Sequence, residues 1–271
     1  MKVASCTAVV VVAATACGSG SSARVPGTGK ARSGVSPLVI VQARTPPLRL
    51  PNYRTSGTYP RVTGGQVELG AVNGAIRRAV LSAQHRYAAF VRREYMSSMP
   101  QLFRRGYRYS GTYRTSPKPS LISASTVVVS ALVPVQEVLP GGTGGATWLS
   151  VTVRVPSGAQ VGLRRLFSQP TRGLRALASA ARRRALATNS CVRASNRGPG
   201  RAINARGFAP TPRNYRYFAL TAHGLAVGFP IDQVGASSCG RVQVTVPYGV
   251  VRPHLSALGQ TLVAGVRPPR R

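Results

Sequence analysis

The sequence predicts an α+β fold in which antiparallel sheets are packed by amphipathic helices. Three observations carry that expectation. Between Glu68 and Tyr95, the residues Leu69, Val72, Ile76, Val80, Ala83, Tyr87 and Phe90 recur at helical spacing, and Arg77, Arg78, Arg86, Arg92 and Arg93 fall off that stripe. Two β-rich runs follow, LISASTVVVSALVPV from Leu121 to Val135 and ATWLSVTVRVP from Ala146 to Pro156. A second amphipathic stretch, Thr171 to Thr188, sets Leu174, Leu177, Ala181 and Ala185 on one face and Arg175, Arg182 and Arg183 on the other. A period of 3.6 marks a helix with one buried face, and β-branched runs bounded by turn residues mark strands.

The remaining elements read in order. LVIVQAR, Leu38 to Arg44, is a first strand, and LRLPNYRTSGTYPRV after it is extended and rich in turns. LPGGTGG joins the two β-rich runs as a hairpin loop; no Lys-Ser/Thr pair follows its glycines, so it is not a phosphate cradle. ATNSCVRASNRGPGRA, which carries Cys191, reads as irregular. NYRYFALTAHGLAVGFPIDQV, Asn214 to Val234, reads as two short strands around a turn at His223 and Gly224. Leu225, Val227 and Phe229 alternate inward on the returning strand. A strand from Gly240 to Gly249 and a short helix from Pro253 to Val263 complete the series.

Composition bounds the function. The chain has 271 residues and 43% hydrophobic content, enough for a sizeable core. It carries 37 Lys plus Arg against 4 Asp plus Glu, a net charge of +33. Lys2, Lys30 and Lys118 are its lysines, so arginine supplies nearly all of the charge. Abundant Ala, Gly, Pro and Arg point to a GC-rich genome. Codon bias does not explain the missing acids, because Asp and Glu also have GC-rich codons. Such a surface favours anionic partners and repels cationic ones. A nucleic-acid partner is not expected: no zinc-finger, basic-zipper, KH or RNP pattern occurs, and the arginines are scattered.

The N-terminus sets an address. MKVASCTAVVVVAATACGSGSS has a positive Lys2, an apolar stretch from Val3 to Ala16 too short to span a bilayer, and ATAC followed by small polar residues. Ala14 to Cys17 matches a lipobox except that Ala14 stands where Leu is usual. Cys17 is therefore the expected lipidation site, tethering the protein to the outer face of the cell membrane; the alternative is ordinary secretion after cleavage at ATA. Cys6 leaves with the leader, so Cys191 and Cys239 remain, and an oxidising envelope makes a disulfide their simplest state. The alternative, a metal site, lacks neighbouring ligands.

The C-terminal half carries an ordered series: Leu166, Phe167, Gly207, Phe208, Pro210, Phe218, Gly224, Leu225, Phe229, Gly240, Val246, Pro247 and Tyr248. That series resembles the RsiV-type C-terminal domain, a domain of unknown function found in an anti-sigma factor, in the deacetylase PdaC and in a secreted mycobacterial antigen. Upstream, YPRVTGG at Tyr59–Gly65 and VNGAI at Val72–Ile76 resemble the domain that usually precedes it. With the leader, the Gly/Ser/Arg/Pro-rich stretch and the basic tail read from the residues, and the resemblance covering roughly residues 50 to 263, the expected layout is signal peptide 1–16, tether 17–37, N-terminal part 38–120, C-terminal domain 121–265 and basic tail 266–271. In RsiV the related region recognises lysozyme, which is basic, so repulsion argues against that ligand here.

Catalytic chemistry is poorly supplied. His85, His223 and His254 are widely separated, and no metal-ligand spacing occurs. The carboxylates are Glu68, Glu94, Glu137 and Asp232; the best hydrolase constellation is Asp232 with His223 and Ser237. An exposed turn is the plain reading of His223. The expectation is a lipid-anchored, non-enzymatic binding module of the bacterial envelope, with no cofactor, no metal and no assigned binding residue. Its partners would be an acidic lipid, a phosphorylated wall polymer or an acidic protein. The alternatives are a wall-modifying hydrolase, or an accessory domain of one, and a passive surface lipoprotein.

Overall fold

The computed structural model describes residues 38–48, 53–65, 68–93, 111–116, 121–139, 144–198 and 201–266. Residues 1–37, with the leader, Cys17 and the tether, lie outside them, as do Glu94, Tyr95 and the tail 267–271. The described residues fall in one compact unit. As the sequence predicts, the class is α+β.

The centre is a five-stranded sheet. It contains β2 (Tyr53–Ser56), β4 (Gly111–Thr115), β5 (Leu121–Ala124), β6 (Val128–Val138) and β7 (Gly144–Arg154). Its pairings are antiparallel except β2 with β4, and β6 is the hub: β4 and β5 pair along it, and β7 pairs with its whole length. A two-stranded sheet joins β1 (Leu38–Arg44) to β3 (Thr58–Gly64). A three-stranded sheet has the order β10 (Val242–Val246), β9 (Gly224–Phe229), β8 (Phe218–Thr221).

Alternation along β6 divides its side chains between two cores. Val129, Ala131, Val133 and Val135 pack with Leu149, Val151 and Val153 of β7 against helix α1 (Gly70–Val91). The inner face of α1 is Val72, Ile76, Val80, Gln84, Tyr87 and Val91. Phe90, expected on that stripe, is 37% exposed, because the buried row advances from Tyr87 to Val91 by a full helical turn. Asn73 fastens α1 to β3: its amide accepts from Val62 N and donates to Val62 O, both at 2.9 Å.

The other face of β6 and β7 meets the three-stranded sheet. Small residues allow the approach. Ala219 is paired with Ala226, and Gly228 lies two residues on. Ala219 packs with Leu132 and Trp148, and a Cβ on Gly228 would sit 2.8 Å from the indole ring of Trp148. Hydroxyls stitch the sheets together. Ser130 Oγ accepts from Leu220 N at 2.8 Å and lies 2.7 Å from Thr152 Oγ1. Ser150 Oγ donates to Phe218 O at 2.6 Å and accepts from Phe218 N at 3.1 Å. The Phe218 N–H and C=O and the Leu220 N–H of β8 are thus satisfied by side chains instead of a further strand.

The outer face of the three-stranded sheet carries Leu220, Leu225, Val227, Phe229, Val244 and Val246 into the larger core. Helix α2 (Pro170–Thr188) covers it with Leu174, Leu177, Ala181 and Ala185, as predicted, and leaves Arg175, Arg182 and Arg183 exposed. β9 is buried on both faces, so the alternation read from Leu225, Val227 and Phe229 shows only half of its contacts.

Four sequence expectations need correction. The segment around Cys191 is not irregular: α3 (Ser190–Ser195) and α4 (Arg201–Gly207) occupy it. Asn189 caps α3 by accepting from Val192 N at 3.0 Å, and Val192 is buried. The run from Leu121 to Val135 is two strands, because Ser125 Oγ accepts from Val127 N and Val128 N and turns the chain. The strand expected to reach Gly249 stops at Val246; Pro247 cannot donate to the ladder, and α5 (Tyr248–Val251) starts there. The last helix, α6, is Ala257–Val266, since Pro253 lies in a 3-10 turn and Ser256 Oγ accepts from Gly259 N at 3.1 Å. β4 went unread in the sequence, although its Tyr113 is 1% exposed.

Candidate functional site

Because β4 and β5 share one side of β6, β7 is an edge strand among the described residues. Beside that edge lies an open cleft of about 1240 Å³. Helix α1 forms one wall with Arg78, Ser82, Arg86 and Phe90, and Arg216, Tyr217 and Ile231 form the other.

Glu137 stands at the end of the cleft. It continues the row Val129, Ala131, Val133, Val135 on the α1 face of β6. The register sets it opposite Tyr113 of β4 and Gly145 of β7. A Cβ on Gly145 would lie 3.5 Å from Glu137 Oε2, an ordinary contact distance, so the carboxyl packs beside this glycine. Burial pushes the Glu137 carboxyl up to about 7, against the opposing pull of the Arg216 and Arg86 charges. Burial, with a smaller contribution from Glu137, likewise raises the Tyr113 phenol above its ordinary range.

Aromatic contacts hold the walls. Tyr53, Tyr87 and Tyr113 form a chain of tilted rings with centroids 5.7 and 5.9 Å apart. Tyr87 Oη donates to Val138 O at 2.8 Å, pinning the end of α1 to the end of β6. The Arg216 guanidinium lies 4.7 Å from the Tyr217 ring centroid, and Tyr217 Oη accepts from Thr147 Oγ1 at 3.2 Å. Across β7, Trp148 Nε1 donates to Phe229 O at 3.1 Å, and Arg241 covers its ring at 5.6 Å. Arg241 Nη1 also donates to Val135 O at 2.7 Å.

The expected site residues are distributed as follows. Cys191 and Cys239 are disulfide-bonded. Cys17 and Glu94 lie outside the described residues. Ser237 Oγ donates to Asp232 Oδ1 at 2.5 Å, but His223 joins neither. His223 sits in the β8–β9 turn, and β9 carries the chain about 17 Å away before Asp232 is reached. The hydrolase constellation is therefore two residues without their base. No group of three or more His, Cys, Asp or Glu that could hold a metal occurs among the described residues. No described helix is long and apolar enough to cross a membrane.

In the sequence, Glu137 stands out from the other three carboxylates by no motif. A signal was available: it shares parity with four buried residues of its strand. Arg216 and the edge of β7 gave no such signal, because three separate segments build that wall. A second depression of about 590 Å³ lies beside α2 and is lined by Arg175, Arg182, Arg183, Leu186, Phe208 and Pro210 among others.

No family model and no curated protein matches the chain. Solved structures do. A DUF3298-family protein of Bacteroides fragilis is similar over 86% of this chain and 98% of its own, at 13% identity and a TM-score of 0.53. A DUF3298-family protein of Pseudomonas aeruginosa PAO1 is similar over 87% and 97%, at 11% identity and a TM-score of 0.47. At 13% identity the likeness extends to the fold alone: the chain has the α+β arrangement seen in a DUF3298-family protein, a domain of unknown function.

Proposed function

We propose that this protein is an extracytoplasmic, lipid-anchored binding module of the bacterial envelope, related to RsiV-type domains, that takes an anionic ligand in the cleft beside β7. One observation carries the reading. Arg78 and Arg86 from α1 line one concavity together with Arg216, and its single carboxyl among the described lining residues is Glu137, raised to about 7 by burial. Cations converging on a concave wall attract a polyanion more strongly than the same charges spread over a convex surface. The leader, the lipobox-like Cys17 and the net charge of +33 support the address and the ligand class. The reading is non-enzymatic because His223, Asp232 and Ser237 do not converge.

The test is binding of fluorescein-labelled poly(glycerol phosphate), a phosphorylated wall-polymer mimic, at two ionic strengths. Replacing Arg86 and Arg216 by serine should weaken binding about tenfold or more and flatten its salt dependence. Replacing Arg182 and Arg183 beside the second depression should change it little. Equal losses from the two pairs, or equal retention of neutral dextran, would refute a defined anionic cleft.

A further inference from the structure

The outer edge of β7 is closed at its ends and open in its middle. Ile231 N donates to Ala146 O at 2.8 Å, and Val161 N donates to Thr152 O at 2.9 Å. Arg154 N donates to Ala159 O at 2.9 Å. These bonds fix which residues turn their backbone away from β6. In a strand the N–H and C=O of one residue point to the same side, and the side alternates. Ala146, Thr152 and Arg154 therefore place Trp148 and Ser150 in the same outward set. Among the described residues, none hydrogen-bonds the outward N–H or C=O of Trp148 or Ser150. Both residues line the cleft. The odd residues of β7 bond inward to β6, so nothing in the sheet competes for that edge.

An open edge of this kind is a template for another strand, and proteins ordinarily blunt it with charge, proline or a covering segment. Here the ends are covered, and the middle lines a cleft of about 1240 Å³. Its lining is cationic, with Arg78 and Arg86 from α1 and Arg216 from the segment before β8. We infer that the cleft binds an extended acidic polypeptide, which pairs as an added strand with Trp148 and Ser150 of β7. This inference rests on the anionic-cleft reading and names its ligand as a polypeptide. Backbone pairing supplies affinity, and the flanking arginines select acidic side chains. A phosphate polymer could meet the arginines, but it has no N–H to offer the carbonyls of the edge.

The experiment uses the full chain and a fluorescein-labelled octapeptide of alternating Glu and Val. Two controls accompany it: the same peptide N-methylated at alternate amides, and poly(glycerol phosphate). Amide exchange at Trp148 and Ser150 is read by NMR. The inference expects rapid exchange at both amides in the free protein, protection on adding the peptide, and no protection on adding the polymer. N-methylation in the register that faces β7 should weaken peptide binding about tenfold or more. Equal binding of the methylated peptide in both registers, or amides already protected in the free protein, would overturn the added strand and leave the anionic cleft standing. If the arginine variants change neither ligand, the anionic reading itself falls.

Discussion

Glu137 offers the sharpest test of how this fold handles charge. Its carboxyl is raised from an ordinary value of 4.5 to about 7, first by burial, with Arg216 and Arg86 pulling the other way. The linkage has one sign. Between the unfolded value and about 7, the unfolded chain has released this proton and the folded chain still holds it, so stability falls as pH rises. The contribution is fully present below about 4.5 and is lost by the time pH has passed the folded value. At 1.36 kcal/mol for each pH unit, the whole change is about 3 kcal/mol. The chain has only 4 acidic residues, so few other carboxyls overlay this one. Glu137→Gln supplies a neutral isostere of the protonated acid and removes the linkage. Urea unfolding at pH 4.5, 5.5, 6.5 and 7.5 should show wild type losing about 3 kcal/mol relative to the variant across the series. Curves that keep a constant separation would show that the carboxyl is already solvated, and the burial argument would fail. The same proton bears on binding: an anion in the cleft meets a neutral acid below about 7 and a second negative charge above it, so wild type should bind more weakly as pH rises.

Two further expectations follow from the interior. Ser130→Ala strands Leu220 N and removes the partner of Thr152 Oγ1 in a buried seam, and should cost about 1–3 kcal/mol in denaturant unfolding; a loss below a few tenths would mean that water or a shift of β8 replaces the hydroxyl. Reducing the Cys191–Cys239 disulfide, whose sequence separation is 48 residues, opens a loop worth about 4 kcal/mol in the chain-entropy model. Unfolding with and without reductant measures it, and coincident curves would place that constraint on residual unfolded structure instead.

Much of the fold was legible where one face of an element is buried. The α1 stripe, the inner face of α2 and the β8–β9 hairpin all show a period that tracks a single core. The misreadings share a different cause. α3 depends on a capping asparagine in a segment rich in turn residues, and β4 on pairing with two strands distant in sequence. Phe90 fits the helical stripe and is still 37% exposed, because apolar spacing alone does not choose between residues three and four apart. At the site, the parity of Glu137 was visible, but its company was not.

The sequence by itself determined the basic charge, the scarcity of carboxylates, the α+β class and the availability of two cysteines for each other. These depend on composition and on periods that one segment carries alone. Only the tertiary structure decided that β7 is an edge, that Arg86 and Arg216 face one cleft, and that His223 stays apart from Asp232. Arg86 and Arg216 stand over a hundred residues apart, and β7 is an edge only through the choice of strands that pair with β6; no local pattern encodes which two surfaces will meet when small residues such as Ala219, Ala226 and Gly228 allow the sheets to close.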